Sequence, residues 1–301
     1  MARPLRIPFL VDLLRTSDPS EIRSLGGDTR LDRRLEPRGP LVNRILTSRI
    51  RSVLAVDGVP LPSVAPRGDE ARGRDQAALA QKLDAAAAQE ISDVATLEQL
   101  ASVVRGERST EAIGPAVQQA IGRLFEADYQ ATPESWRAAQ VLDEAVRTRN
   151  PVKSIVWGIT GRIERAQQLL SHLVRGDRAG VHATGIAIHN LVRGIERMRE
   201  LWSQGRARDQ LSNDAVIAHC LVAPSSVLRQ ATASGTTATC EFRPGTLVTL
   251  DLEKAREAQP GADVVFMTGT WAQCPAGAWV PALLGAVWKK AREIEPKGAS
   301  R

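Results

Sequence analysis

Apolar residues recur at helical spacing through most of the middle of the chain, and this pattern limits the possible folds more than any other feature. Between residues 75 and 104 the apolar positions are Leu79, Leu83, Ala86, Ile91, Val94, Leu97 and Leu100, with polar residues between them. Such spacing places apolar side chains on one face of a helix. We predict one or two helices there, with a break at Ser92 or Ala95.

The same periodicity predicts further helices at residues 110–125, 133–148, 152–174 and 181–202. Good helix formers dominate these stretches, whereas Phe and Tyr, which favour strands, number only 4 and 1 in the whole chain. Thr132 followed by Pro133 is a helix start signal, because a threonine cap precedes proline at the first helical position. The predicted fold class is mainly α with a small β hairpin or sheet.

Length and composition exclude several classes of protein. The chain has 301 residues, of which 43% are apolar, and this is enough for a buried core. No run of eighteen apolar residues occurs and no cleavage pattern follows the first residues, so we expect a cytoplasmic protein without a transmembrane segment. The cysteines Cys220, Cys240 and Cys274 are too few for a disulfide framework, and no Cys-x-x-Cys pair offers a zinc site.

The beginning of the chain is basic, since residues 1–51 hold 11 Arg against 6 acidic residues. We predict a single domain over residues 1–301, in which residues 1–55 form a basic N-terminal arm. Residues 56–74 are rich in Pro and Gly and are expected to be a surface loop, and residues 75–301 form the helical body. No aromatic residues or docking motif accompany the basic arm, so we expect a solvated or partner-facing surface and no nucleic acid.

Strand signals come late in the chain. Pro244 and Gly245 form a turn dipeptide between stretches rich in β-branched residues, so residues 239–242 and 246–250 are predicted to pair as a hairpin. Residues 251–257 are expected to form a helical turn and residues 263–267 a short extended run.

Cys274 precedes the last stretch with helical periodicity, which ends in basic residues. If Pro275 takes the first helical position, Cys274 lies at the positive end of the helix, where free N–H groups stabilise a thiolate. Pro281 opposes this, because a proline inside the helix removes a hydrogen bond unless the regular helix starts only there. A thiolate suits a soft metal ligand or a nucleophile, whereas a lone cysteine is otherwise a small buried hydrophobe.

The residues around Cys274 resemble the haem-thiolate signature of the cytochrome P450 family, Phe-x-x-Gly-x-His/Arg-x-Cys-x-Gly. Phe266, Gly269, Cys274 and Gly277 follow its order, before an apolar helix. The spacings from Gly269 to Cys274 and from Cys274 to Gly277 are each one residue longer than in the pattern. The basic residue that the pattern places before the cysteine is missing.

Other stretches are similar to the family in the same order. Residues 242–248 resemble its Pro-Gly-x-x-Val hairpin, and residues 181–202 lie where its long central helix over the distal haem face is expected. The resemblance covers residues 181–293 best. Because the chain is shorter than ordinary members, the resemblance implies a reduced cytochrome P450-like fold.

The family's Glu-x-x-Arg motif has lost its charges in this chain. Residues 215–223 resemble the helix that carries it, with Ala218 at the position of the Glu and Leu221 at that of the Arg. In this register Arg229 falls on a later arginine that pairs with a haem propionate. In an alternative register Arg229 is the arginine of the motif itself, and Ser226 replaces the glutamate.

The resemblance implies that the chain binds haem b, with Cys274 as the axial ligand of the iron. The other residues that it implies around the cofactor are Phe266, Gly269, Gly277, Arg229 and His182.

The central helix supplies the candidate catalytic residues Thr184, His189 and Asn190. Oxygen-activating members of the family carry an acidic residue beside the threonine, and this chain has none. Relatives that isomerise or use hydroperoxides also lack that pair, and some place an Asn in this helix. The resemblance therefore implies that His189 or Asn190 contacts a peroxide oxygen, although both residues also fit a packing role at the edge of a buried face.

We therefore expect a haem-thiolate enzyme that uses or rearranges a peroxide on an apolar, fatty-acid-like small molecule. Two alternatives stay open. A catalytically degenerate partner subunit or haem-binding protein would explain the missing Glu-x-x-Arg charges, and it implies a companion enzyme subunit. A monooxygenase fed by ferredoxin would use an acidic redox partner that docks on the arginine-rich side.

Overall fold

Helices form most of the molecule, together with three small sheets among the described residues. The computed structural model describes residues 2–89, 93–148, 151–205, 209–237, 239–259 and 261–293. The helices are α1 (Pro19–Gly27), α2 (Leu41–Val53), α3 (Glu70–Ala88), α4 (Val94–Val104), α5 (Ile113–Gly122), α6 (Pro133–Arg147), α7 (Pro151–Ile159), α8 (Arg162–Leu173), α9 (Arg178–His182), α10 (Ile188–Ser203), α11 (Asn213–Cys220), α12 (Leu252–Ala258), α13 (Ala262–Phe266) and α14 (Trp279–Glu293). The strands are β1 (Arg3–Ile7), β2 (Val11–Thr16), β3 (Leu31–Asp32), β4 (Ala55–Val56), β5 (Val59–Pro60), β6 (Val227–Ala231), β7 (Gly235–Thr236), β8 (Glu241–Phe242) and β9 (Leu247–Leu250). This composition confirms the predicted fold class.

A long central helical segment organises the core. It runs from α9 through one π-helical turn, Ala183–Ala187, into α10. Ile188, Ile195 and Met198 of α10 are fully buried, because residues at helical spacing share the face that packs on α4, α5, α11 and α14. The segment predicted at residues 181–202 is thus confirmed as helical, with a local change of pitch near its start.

The main sheet joins the two ends of the chain. Its strand order is β1-β2-β9-β6-β3. The pairing of β2 with β9 is parallel, while the other neighbouring pairs are antiparallel. The basic N-terminal segment is therefore part of the fold rather than an arm separate from the body, because β2 is an interior strand of the sheet.

A buried carboxylate fixes this junction. Asp12 of β2 is 1% exposed and accepts hydrogen bonds from Arg6, from Arg243 and from the hydroxyl of Thr246. The side chain of Asn43 in α2 donates to the Asp12 carbonyl at 2.7 Å. The first helix turn of α2 is thereby held against the end of the sheet.

Two predicted helices are confirmed with their boundaries adjusted. α6 starts at Pro133 with Thr132 as its cap, and Thr132 and Ser135 form a reciprocal capping box. The segment at residues 75–104 consists of α3 and α4. Of the two predicted break points, Ala95 is wrong, because it lies inside α4, and Ser92 lies outside the described residues.

The prediction of one helix at residues 152–174 is wrong. The chain forms α7 and α8 instead, because Gly161 has a φ of 58° and interrupts the right-handed helix. The surface loop expected at residues 56–74 contains the β4–β5 hairpin, a 3-10 turn at Pro62–Val64 and the start of α3.

The predicted hairpin is wrong in its pairing. Gly245, with a φ of 89°, does reverse the chain, but the strands on its two sides enter different sheets. β8 pairs with β7, and β9 pairs with β6 and β2. Residues 263–267 were expected to be extended and instead form α13, whereas the helical turn expected at residues 251–257 is confirmed as α12.

No helix in the described parts of the chain combines the length and the apolar character needed to cross a bilayer.

Candidate functional site

A closed loop holds Cys274 in a half-buried position. The Cys274 N–H donates to the carbonyl of Phe266 at 2.7 Å, so the residues between them form a compact turn after α13. Met267 and Gly269 have φ values of 51° and 75°, which reverse the chain. The Gly269 N–H donates to the side chain of Gln273 at 3.0 Å, which fixes the turn next to the cysteine.

The local geometry of Cys274 differs from the prediction of a helix cap. Cys274 precedes a 3-10 turn, Pro275–Gly277, and the regular helix α14 begins only at Trp279. Pro281 therefore lies in the first turn of α14, where no intrahelical hydrogen bond is lost. The regular helix α14 therefore begins five residues after Cys274 rather than directly at it.

Burial dominates the ionisation of this thiol. It raises the pKa of Cys274 above its usual value, while the backbone N–H of Ala276 and the charge of Arg33 act in the opposite direction. The ionised form of this half-buried cysteine is therefore disfavoured, which differs from the capped thiolate that the sequence predicted. Arg33 is an electropositive neighbour that would favour the thiolate form needed to ligate a metal.

Three arginines surround one indole ring beside this cysteine. The guanidinium carbons of Arg33, Arg72 and Arg229 lie 5.7, 4.9 and 5.6 Å from the centre of the Trp271 ring. Such distances are those of cation–π contacts. Arg33 follows β3, Arg72 lies in the first turn of α3, Arg229 belongs to β6, and Trp271 lies in the cysteine loop.

None of these three guanidinium groups is in an ion pair with a carboxylate of the described residues. Arg33 donates to the carbonyl of Ala272, and Arg229 donates to the Leu228 carbonyl at 2.9 Å. Burial, followed by the charge of Arg72, lowers the pKa of Arg33 to about 10. Burial and the charges of Arg33 and Arg72 lower the pKa of Arg229 well below its usual range, although the charge of Asp32 raises it.

Several donors in this cluster are buried without a hydrogen-bond partner among the described residues. They are Arg72 Nη2, Arg229 Nε, Trp271 Nε1 and His182 Nδ1. A buried donor without a partner destabilises a protein by about 1–3 kcal/mol, and buried unpaired cations add to this. A set made of cations and N–H donors is complementary to an anion with several carboxylate oxygens.

His182 belongs to the same cluster. It ends α9 at the start of the π-helical turn, and burial together with the charge of Arg33 lowers its pKa to about 4. The imidazole is therefore neutral at pH 7. Arg33 thus lies close enough to influence both His182 and Cys274, and the cluster joins three of the predicted site residues, Cys274, Arg229 and His182.

Phe266 and Gly277 adjoin each other next to the cysteine. A Cβ placed on Gly277 would lie 3.7 Å from the Phe266 ring, which is an ordinary contact distance. A Cβ on Gly269 would meet no atom within 4 Å, so this glycine is required by its positive φ and not by close packing.

The candidate catalytic residues of the central helix make other contacts. The Thr184 hydroxyl donates to the Gly180 carbonyl at 2.8 Å. His189 Nε2 lies 3.1 Å from the carbonyl of Ala139 in α6, and its ring is 5.3 Å from that of Trp136. Burial lowers the pKa of His189.

Asn190 is bonded within α10. Its side-chain oxygen accepts a hydrogen bond from Arg193 at 2.9 Å, and Arg193 also pairs with Glu253 of α12. The described polar contacts of His189 and Asn190 are thus with Ala139 of α6 and with Arg193 of α10 itself. Neither residue contacts the cysteine loop in the described structure.

The sequence pattern gave no sign of Arg33 and Arg72 as site residues. They are separated from each other and from Arg229 by long stretches of chain, and 34 of the 40 cationic residues are arginine. The only hint in the sequence was indirect. The basic residue expected before Cys274 is missing, so a cation at this site has to come from another part of the chain.

A metal ion chelated by side chains alone has no site in the described residues, since no group of three or more His, Cys, Asp or Glu side chains converges. Cys274 would therefore be a single protein ligand, and a metal held there needs other ligands from a cofactor.

The depressed pKa of His182 makes stability depend on pH. The unfolded histidine takes up a proton below about 6.5, whereas the folded one resists until about 4, so the contribution is complete above pH 6.5 and is lost as pH falls. We expect the free energy of unfolding, measured by urea titration, to fall by about 2–3 kcal/mol over this window because of His182. His182→Gln should remove this pH-dependent decrease in the free energy of unfolding. His172→Gln, at an exposed position, should leave it unchanged. Equal pH slopes in both variants would contradict the assignment.

Comparison with known proteins gives a match in structure only. No protein-family model matches the sequence, and no curated protein matches it.

Several solved structures match the fold over nearly the whole chain. P450BioI in complex with an acyl carrier protein ligated to hexadec-9Z-enoic acid has a TM-score of 0.64 at 13% identity, covering 98% of this chain and 88% of that chain. CYP154C4 from Streptomyces sp. W2061 has a TM-score of 0.62 at 13% identity, covering 95% and 83%. The tirandamycin C-bound P450 monooxygenase TamI has a TM-score of 0.61 at 14% identity, covering 96% and 85%. The chain therefore has a cytochrome P450-like fold.

Proposed function

We propose that this protein is a haem-thiolate oxidoreductase with Cys274 as the axial ligand of the iron. The observation that carries this proposal is the cluster of three arginines around Trp271, which pair with no carboxylate of the described residues and adjoin Cys274. A haem presents one iron for a single thiolate and two propionates for buried cations. The donor set of this site fits both requirements.

Each part of the cluster has a role in holding the cofactor. Arg33, Arg72 and Arg229 would bind the propionates, and the N–H groups of Trp271 and His182 would supply further hydrogen bonds. Phe266 and Gly277 lie beside the cysteine and would contact the macrocycle. Haem b is the favoured form, because the chain has no Cys-x-x-Cys-His sequence for covalent attachment.

Arg33 takes the place of the basic residue that the sequence pattern lacks. Its guanidinium group donates to the carbonyl of Ala272, two residues before the cysteine. A cation from the N-terminal segment would therefore replace the one that the family pattern has in the cysteine loop itself. Arg33 is also the charge that lowers the pKa of Cys274 against the effect of burial, so it would stabilise the thiolate.

Bound haem would supply an iron centre able to exchange electrons with an oxidant and a substrate. We infer that the oxidant is a peroxide. Thr184 is flanked by Ala183 and Gly185, so no acidic residue adjoins it, and its hydroxyl is bonded to the Gly180 carbonyl. The chain thus offers no acid–alcohol pair here to deliver protons to dioxygen.

The proposed class of substrate rests on the similarity of this fold to a solved structure. One structural neighbour is complexed with an acyl carrier protein bearing hexadec-9Z-enoic acid. That chemistry agrees with the apolar, fatty-acid-like substrate inferred from the sequence.

A second candidate is a haem-binding partner subunit without turnover. It is favoured by the contacts of His189 and Asn190, since both side chains are engaged in packing with α6 and with Arg193.

Replacement of the ligand tests the proposal directly. Purified protein supplied with haem should show the thiolate-type Soret band in its reduced carbon monoxide complex. Cys274→Ala should abolish that band, because the variant lacks the thiol that would ligate the iron. The control Cys240→Ala removes a half-buried cysteine elsewhere and should retain it. A wild-type protein without the band, or a Cys274→Ala protein that keeps it, would overturn the assignment of the ligand.

The oxidant that supports turnover distinguishes the remaining candidate functions. We expect substrate turnover with an organic hydroperoxide alone, and Thr184→Val should retain it within about threefold because the hydroxyl takes no part in proton delivery. Turnover that requires ferredoxin, its reductase and dioxygen would reject the peroxide assignment. A haem-loaded protein that is inactive under both conditions would favour the partner-subunit candidate.

A further inference from the structure

Large apolar side chains are exposed together at one end of the molecule. The tip of the β1–β2 hairpin and the first turns of α2 form what we call the hairpin–α2 face. It consists of Ile7, Phe9, Leu10, Leu41, Val42 and Ile45, all of which are exposed. Soluble proteins rarely display a contiguous apolar group of this kind without a binding function.

Main-chain hydrogen bonds hold the two parts of the face together. The N–H groups of Leu41 and Val42 donate to the carbonyls of Phe9 and Leu10 at 3.1 and 2.9 Å. Behind them, Asn43 is buried and anchors α2 to the Asp12 carbonyl. The face is therefore a fixed part of the fold.

Phe9 is the most prominent residue of the face. It is 93% exposed and has a φ of 61°, a conformation that is unfavourable for an aromatic residue. The hairpin turn thus directs a large ring outward, away from any core. An outward ring at the tip of a turn suits insertion into a soft phase better than contact with a flat surface.

The charge around the face is positive. Residues 1–11 and 37–56 contain six arginines and no Asp or Glu. Arg3, Arg44 and Arg51 are exposed and make no ion pair with any described residue. The first acidic residue of the hairpin, Asp12, is buried and paired with Arg6 and Arg243.

Helical spacing arranges these groups in rows. Leu41 and Ile45 are four residues apart and share one outward row of α2. Arg44 and Arg51 are seven residues apart and form the neighbouring row. A helix with an apolar row bordered by arginines is the pattern of a segment that lies in a membrane interface.

We propose that the hairpin–α2 face binds the surface of an anionic lipid bilayer. Phe9, Ile45 and their apolar neighbours enter the interface between headgroups and acyl chains, and the arginines contact lipid phosphates. Charge argues against a second copy of the chain as the occupant, because pairing this face with itself would place arginines against arginines. The proposal is independent of the haem site.

Vesicle sedimentation tests the proposal. The protein is mixed with vesicles of phosphatidylcholine alone, or of phosphatidylcholine with phosphatidylglycerol. We expect binding to the anionic vesicles, weak binding to the neutral ones, and a decrease as the salt concentration rises. Absence of binding to the anionic vesicles would overturn the proposal.

Matched variants distinguish lipid binding by the hairpin–α2 face from non-specific adsorption of the protein to vesicles. Phe9→Asn combined with Ile45→Gln removes two apolar anchors, and asparagine tolerates the positive φ at position 9. This variant should bind anionic vesicles about tenfold more weakly. Val94→Gln is the control, since Val94 is 63% exposed at the start of α4, outside the face. Arg44→Gln with Arg51→Gln should reduce the preference for anionic lipid.

Two other results would also refute the proposal. Equal vesicle binding by the Phe9/Ile45 double variant and the wild type would place the lipid contact elsewhere. Concentration-dependent dimerisation that the double variant abolishes, without binding to vesicles, would assign the face to a protein contact.

Discussion

Unpaired positive charge inside the protein is the constraint that explains the arrangement around Cys274. Three guanidinium groups share the Trp271 ring, and no carboxylate of the described residues pairs with them. Cation–π contact with one indole offsets only part of the desolvation of three cations. The lowered pKa values of Arg33 and Arg229 report the remaining cost. An anionic cofactor would remove this cost, and so haem binding and the stability of the fold are expected to be linked.

The topology explains why these residues meet at all. β6 carries Arg229 in the main sheet, and α3 packs on the 3-10 turn after Cys274, which places Arg72 beside the cysteine loop. A hydrogen bond from Gln76 in α3 to the carbonyl of Gln273 reinforces that contact. Arg33 reaches the same place from β3, next to β6 in the sheet. A loss of docking between the N-terminal segment and the sheet would therefore also disperse the cluster.

The sequence predicted the features that depend on local interactions. Helical periodicity located the helices, and the Thr132–Pro133 signal located the start of α6, because caps and amphipathic faces are short-range properties. The Pro244–Gly245 turn was also found, but its strands pair with distant partners, and pairing in a sheet is decided by tertiary contacts. For the same reason residues 263–267 became a helix in the folded chain.

The candidate site was predictable in part. The sequence predicted Cys274 from the spacing of residues around it, Arg229 from the order of motifs that resemble a known family, and His182 from its place near a Gly-rich turn. Arg33 and Arg72 were missed, because residues so distant in the chain have no shared pattern. The helix-cap argument for a thiolate failed, because Pro275 starts a 3-10 turn and the regular helix begins at Trp279.

The most direct test of the central claim compares the affinity of the protein for haem with its affinity for haem dimethyl ester, in which both propionates are esterified. If the buried arginines bind the propionates, the ester should bind about a hundredfold more weakly, since charge-assisted hydrogen bonds to both carboxylates are lost. Arg33→Gln should reduce the difference between the two affinities. Equal affinity of the wild-type protein for haem and for its dimethyl ester would contradict the account.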